Sequence, residues 1–164
     1  MFERPYLKLV KARIEEPRKF IQVILGPRQV GKTTMVIQLL SQLSIPNLHE
    51  SADAISATNS AWLVQVWESA RLRLKASGAT DFLLVIDEIQ KIDNWSEIVK
   101  QQWDKDTRES INIKVILLGS SRLININVIC IFSLVYYNQN RSFQIADFFC
   151  FFAVEINNKR KPSY

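Results

Sequence analysis

Hydrophobic and polar positions along residues 1–124 follow two different periods. Three short, mainly apolar runs are typical of strands buried on both faces, and they are Ile21–Leu25, Phe82–Ile86 and Lys114–Leu118. Apolar residues at helical spacing separate or follow these runs, from Thr33 to Leu43, from Trp62 to Ala76 and from Trp95 to Trp103. Strands that alternate with helices predict an α/β fold with a parallel sheet and right-handed crossovers.

The ends of these elements carry recognisable signals. Gly26-Pro27 ends the first strand, Pro46 stops the first helical pattern, Gly78 follows the second, and Asp93 or Asn94 can cap the third helix. An amphipathic stretch from Leu7 to Ile14 precedes the first strand. The tryptophans at 62, 67, 95 and 103 lie on the helical stripes, a position more typical of core than of a stacking surface.

A glycine-rich loop joins the first strand to the first of these helices. Residues 26–33, Gly-Pro-Arg-Gln-Val-Gly-Lys-Thr, match the phosphate-binding loop pattern without substitution. Glycine lets the backbone N–H groups turn inward around phosphates, and the following helix directs its positive end at them. Lys32 would neutralise the outer phosphates and Thr33 would offer its hydroxyl to Mg²⁺. The alternative is a plain turn, which this strand-loop-helix context disfavours.

Two acids follow the second apolar strand. Parallel strands present their carboxyl ends at one edge of a sheet, so Asp87 is predicted to hold Mg²⁺ there through water. Glu88 is predicted to orient or deprotonate an attacking water. The alternative is a solvated turn in which Asp87 caps the next helix. An acid poised for water favours an ATPase over a small-molecule kinase.

The third strand ends in Gly119-Ser120-Ser121. A small polar side chain beside the second strand can sense the γ-phosphate or the attacking water, and either serine could serve. Glycine and serine are also ordinary turn residues, so a simple turn is an equal alternative.

Together, three blocks resemble the N-terminal ATPase domain of prokaryotic AAA-type ATP-binding proteins: Gly26–Thr33, Val85–Lys91 with Trp95, and Val115–Leu123. The resemblance covers about residues 2–123. It implies a P-loop NTPase core, a three-layer α/β/α sandwich with a mainly parallel sheet, and ATP and Mg²⁺ as ligands. It assigns Asp87 to the metal site and Glu88 to catalysis, Ser120 or Ser121 to the sensor position, and nucleotide binding to Gly26, Pro27, Arg28, Gln29, Val30, Gly31, Lys32, Thr33 and Thr34.

The resemblance stops near residue 124, where the composition changes. Phe, Ile, Tyr, Asn and Lys, residues of A/T-rich codons, make up 25% of residues 1–124 but 55% of residues 125–164. The family's Ala-Gly-Arg-like motif, last strand, helical lid and C-terminal domain are not recognisable there. We therefore expect a basic segment at 1–19, an ATPase core at 20–123, incomplete at its C-terminal end, and a frameshifted tail at 124–164. The alternative is a genuine C-terminus in which Ile126–Val135 supplies the missing strand.

Charge and cysteine content bound the partners and the compartment. The net charge of +5 arises within residues 1–32, which hold eight basic and three acidic residues. Acids interrupt the basic positions before the loop, so a solvated helix face is favoured over a DNA-binding face. Two cysteines without metal spacing, no export signal and a longest apolar run of about a dozen residues predict a cytoplasmic protein without a membrane span.

Three functions remain open at this point. The first is an ATPase, which the resemblance expects to self-associate because a neighbour's arginine completes such sites, although no matching arginine is visible. The second is a non-catalytic remnant that binds nucleotide weakly. The third is a DNA-associated ATPase that uses the basic N-terminal segment.

Overall fold

The fold is built on a sheet whose first four strands in the chain are parallel. The computed structural model describes residues 5–120, 133–135 and 150–155. Its parallel strands are β1 (Ile21–Gly26), β2 (Asn47–Ser51), β3 (Phe82–Asp87) and β4 (Ile113–Ser120). They lie in the order β2-β3-β4-β1, so the loop after β1 and the end of β3 flank the end of β4 at one sheet edge.

Two further strands extend this sheet beyond β1. Strand β6 (Cys150–Glu155) pairs with β1 in antiparallel register, and β5 (Ser133–Val135) pairs with β6 at the edge. Of the segment Ile126–Val135, the described part is β5, which contacts β6 rather than β1. The expected boundary at residue 124 lies outside the described residues and stays a prediction.

Within the described residues, four helices cover the two faces of the sheet. They are α1 (Pro5–Glu15), α2 (Lys32–Leu40), α3 (Ser60–Ser77) and α4 (Trp95–Arg108). Apolar residues of α1 and α2 form one buried cluster with one face of the strands, and those of α3 and α4 form a second cluster with the other face. Along β3, Phe82, Leu84 and Ile86 join the α3/α4 cluster whereas Leu83 and Val85 join the α1/α2 cluster. This alternation confirms the predicted α/β/α sandwich.

The predicted strands and helices recur with shifted ends. Strand β4 runs two residues past the predicted Leu118, and α2 ends at Leu40 rather than Leu43. Asn94 occupies the N-cap position of α4, but its side chain makes no capping hydrogen bond. Trp67 and Trp103 are buried, which confirms their predicted place in the core. No helix among the described residues is both long and apolar enough to span a bilayer.

Strand β2 was not predicted from the sequence. Its five residues, Asn-Leu-His-Glu-Ser, contain one buried apolar side chain, Leu48, and the strand lies at the edge of the sheet. An edge strand needs no continuous apolar run, because its outer backbone groups and much of its side-chain surface face solvent. Its pairing with β3, in which Ser51 is opposite Asp87, completes the sheet edge where the candidate site lies.

Candidate functional site

Two residues of the loop between β1 and α2 have a left-handed backbone conformation. Gln29 and Gly31 have φ angles of 63° and 84°, in the left-handed region that glycine enters without steric cost. Gly31 is the N-cap of α2, and the N–H of Met35 donates to its carbonyl at 3.0 Å. The N–H groups of the first helical turn therefore face the loop, where the positive end of the helix favours an anion.

Lys32 is buried inside this loop with only 5% of its surface exposed. Its ammonium donates hydrogen bonds to the carbonyl oxygens of Gly26 at 3.0 Å and Pro27 at 2.8 Å. No carboxylate of the described residues forms an ion pair with this nitrogen. A buried cation whose partners are neutral carbonyls is costly in isolation, so the loop is electrostatically suited to a polyanionic ligand.

Thr33 and Asp87 meet across the same edge of the sheet. The hydroxyl of Thr33 donates to Oδ2 of Asp87 at 2.5 Å, and Oδ1 of that carboxylate accepts the N–H of Glu88 at 2.8 Å. Asp87 is buried at the end of β3, whereas Thr33 is exposed. No group of three or more His, Cys, Asp or Glu residues that could hold a metal occurs in the described part of the chain. One carboxylate and one hydroxyl fit Mg²⁺, which keeps several of its waters.

Glu88 leaves β3 through a sharp turn. Its φ of 53° is unusual for a residue with a side chain, and it redirects the chain into the 3₁₀ turn Ile89–Lys91. The carboxylate of Glu88 accepts a hydrogen bond at Oε2 from Nε2 of Gln90 at 2.5 Å. Gln90, two residues after the predicted water-activating acid, therefore holds its carboxylate. The sequence analysis gave Gln90 no role.

Ser120 ends β4 directly opposite Gly26, the first residue of the glycine-rich loop. It is buried, with 7% of its surface exposed, and its hydroxyl lies 3.5 Å from Nε2 of Gln90. The structure thus brings Ser120 to the same edge as Lys32 and Glu88. Ser121, the alternative sensor residue, lies outside the described residues.

The remaining predicted nucleotide-binding residues form the outer surface of the loop. Pro27, Arg28, Gln29 and Thr34 are exposed, and Val30 is half-buried. Their side chains are therefore peripheral to the buried ammonium and the Thr33–Asp87 pair, and their contribution to ligand binding stays a prediction.

An ion pair beside the site was not anticipated from the sequence. Nζ of Lys91 contacts the carboxylate of Asp53, in the segment after β2, and also donates to its carbonyl at 3.1 Å. This hydrogen bond and the charge of Lys91 lower the pKa of the Asp53 carboxyl, with a smaller contribution from Arg28 in the glycine-rich loop. The pair joins the segment after β2 to the turn that carries Glu88.

Basic residues of the N-terminal segment are engaged within the protein. Arg13 pairs with Glu16 at 3.0 Å and Lys11 lies 3.9 Å from Glu15. Arg18 donates to the carbonyl of Ile113 at 2.9 Å, and its guanidinium lies 3.5 Å from the centre of the Trp103 ring. These contacts engage three basic side chains within the protein, and the DNA-binding hypothesis gains no support from them. His49, the one histidine in the sequence, lies in none of the contacts that form the site.

Comparison with known proteins adds one finding to this geometry. A family model described as an AAA domain matches residues 18–129, which is more than half of the 164-residue chain. The match begins just before β1 and includes the glycine-rich loop, the end of β3 and the end of β4. A search of curated proteins returned no significant match.

Proposed function

The chain belongs to the family of AAA domains, and on that premise we propose that it binds ATP together with Mg²⁺ and hydrolyses the β–γ phosphoanhydride. The buried ammonium of Lys32 is the observation that carries this proposal. It lies inside the glycine loop on two carbonyl oxygens and has no carboxylate partner among the described residues. The triphosphate would supply the missing negative charge, because a charge-assisted hydrogen bond to phosphate replaces a weaker bond to a neutral carbonyl.

The metal is proposed to bind beside the hydrogen-bonded pair of Thr33 and Asp87. Their direct contact at 2.5 Å places a hydroxyl oxygen and a carboxylate oxygen side by side. Mg²⁺ accepts such oxygen ligands, either directly or through its own waters. When bound, it would neutralise charge on the β- and γ-phosphates. Thr33 and Asp87 would hold it at the position where the phosphate-binding loop meets the end of β3.

Hydrolysis is proposed to depend on Glu88. One oxygen of its carboxylate accepts from Gln90, which leaves Oε1 able to accept a proton from water. The water oxygen would attack the γ-phosphorus as the bond to the β-phosphate oxygen breaks, giving ADP and inorganic phosphate. Lys32 would stabilise the charge on the transferring phosphoryl group, and Ser120 would contact that group or the attacking water.

Nucleotide titration of the full chain tests the binding step. We expect saturable binding of a fluorescent ATP analogue that requires Mg²⁺ and weakens by about 10- to 100-fold in Lys32→Met, because one or two charge-assisted hydrogen bonds are lost. Lys114→Met is the matched control. Lys114 is an equally buried lysine, 6% exposed, whose ammonium donates to the carbonyl of Ile14 at 2.8 Å, near the start of β4. Equal loss of binding in both variants would refute the assignment of Lys32.

A second measurement separates binding from hydrolysis. Glu88→Gln should retain Mg²⁺-dependent nucleotide binding while steady-state phosphate release falls by about 100-fold or more, since the amide cannot accept the proton of water. Absence of phosphate release from the unmodified chain would instead favour the non-catalytic alternative. Undiminished release in Glu88→Gln would assign water activation to another group.

A further inference from the structure

We propose that Gln90 is a positioning residue for hydrolysis, whose carboxamide joins the carboxylate of Glu88 to the hydroxyl of Ser120 and fixes the orientation of that carboxylate toward water. This inference rests on the proposed ATPase function and adds to it a residue outside the phosphate-binding loop and the acid pair. Gln90 lies in the 3₁₀ turn after β3, beside the end of β4.

The hydrogen bonds of Gln90 define its amide orientation. Nε2 lies 2.5 Å from Oε2 of Glu88 and 3.5 Å from Oγ of Ser120. A carboxylate only accepts hydrogen bonds, so the NH₂ group must face Glu88 and the carbonyl oxygen must face away. With Oε2 held in this way, the second carboxylate oxygen has a defined direction. A reacting group fixed in direction loses less freedom on reaching the transition state.

The turn that carries Gln90 is itself held on both sides. The side chain of Ile89 is 2% exposed and packs in the core cluster with α3 and α4. On the other side, Lys91 contacts the carboxylate of Asp53, and its N–H donates to the carbonyl of Glu88 at 3.0 Å. The backbone at position 90 therefore has little room to shift, and its side chain is directed between the ends of β3 and β4.

Gly119 provides the space that the carboxamide occupies. A Cβ atom at this position would lie 2.8 Å from Oε1 of Gln90, closer than such atoms approach in proteins, and 3.2 Å from Cδ2 of Leu25. The backbone of Gly119 does not have a positive φ, so conformation does not require glycine here. The glycine instead permits close approach of the Gln90 side chain to β4 immediately before Ser120.

The carbonyl oxygen of Gln90 is buried and receives no hydrogen bond from the described part of the chain. Burying an amide oxygen without a donor costs roughly 1 to 3 kcal/mol. The amide nevertheless donates to the carboxylate of Glu88 through Nε2, so Gln90 is a positioning residue that acts through Glu88.

Kinetics of two variants test this role. In Gln90→Leu, which can neither donate nor accept, we expect kcat for ATP hydrolysis to fall by about 10- to 100-fold while the Kd for Mg·ATP changes by less than about twofold. Gly119→Ala should lower kcat in the same way, because the clash involves the end of a flexible side chain and is relieved by moving Gln90. Combining the two substitutions should add little further loss, since both remove one arrangement.

Gln22→Leu is the matched control. Gln22 lies on β1 with 3% of its surface exposed, and its Oε1 also lacks a partner among the described residues. Its Nε2 donates to the carbonyl of Phe20, at the end of β1 that lies away from the glycine-rich loop. Its kcat should stay within about twofold of the unmodified chain, with folding of all variants checked by circular dichroism. Normal kcat in both Gln90→Leu and Gly119→Ala would overturn the role of Gln90 alone. An unmodified chain without ATPase activity would overturn the proposed function as well.

Discussion

Replacing Asp106 by alanine would leave two buried donors of α3 without their acceptor. Asp106 lies on α4 with none of its surface exposed, and its carboxylate accepts from Nε1 of Trp67 and from Nε of Arg71, both at 2.7 Å. Arg71 is itself 9% exposed. This carboxylate therefore joins α3 to α4, the two helices that pack on one face of the sheet.

The expected loss in the free energy of unfolding follows from the buried groups that Asp106→Ala leaves unpaired. Breaking a buried ion pair by removing one partner costs about 3 to 5 kcal/mol, because the other charge stays buried without compensation. Arg71 keeps hydrogen bonds to Glu68 at 2.7 Å and to Gln102 at 2.8 Å, so the lower end of that range applies. We therefore expect Asp106→Ala to lower the free energy of unfolding by about 3 kcal/mol, and Tm by about 6 to 12 °C for a chain of this size.

Urea unfolding followed by far-ultraviolet circular dichroism measures this loss. Asp106→Asn should cost about half as much, because the amide oxygen can still accept one of the two hydrogen bonds. Asp104→Ala is the control on the same helix. Asp104 pairs with Lys100 at 3.0 Å near the surface, a pair of a kind worth about 0.5 kcal/mol or less. If Asp106→Ala cost no more than Asp104→Ala, the argument from two buried donors left without their acceptor would be wrong.

Two further predictions concern α3, one at its C-terminal end and one at Glu68 on its surface. Gly78, the C-cap of α3, has a φ of 65° and open space where a Cβ would lie. Gly78→Ala should therefore lower the free energy of unfolding by about 1 kcal/mol from backbone strain alone, and Gly78→Asn by less. Urea unfolding measures both losses, and equal stability of all three proteins would exclude strain. A hydrogen bond from Lys105 lowers the pKa of the Glu68 carboxyl, so its stabilising contribution exists above the unfolded-state pKa and disappears as the pH falls through the lowered value. Unfolding measured against pH should therefore lose some acid sensitivity in Glu68→Gln, and an unchanged profile would contradict this.

The local pattern of residues accounts for the strands that form the centre of the fold. Strands β3 and β4 are covered on both faces, so nearly every position is apolar and the run is visible without any knowledge of its neighbours. The candidate site residues could likewise be identified without knowledge of their neighbours in space. The glycines, Lys32 and Thr33 occupy fixed spacings in one loop, and Asp87-Glu88 follows a strand directly, so their chemistry is local.

The environment of those residues depended on the tertiary structure. The contact between Thr33 and Asp87 and the contact between Gln90 and Ser120 each join parts of the chain that are distant in sequence and that the fold brings together. Strand pairing also decided the edge position of β2 and the antiparallel placement of β6 beside β1. Residue order encodes a side chain's chemistry and local period, but hydrogen-bond register between distant strands determines which of these side chains meet.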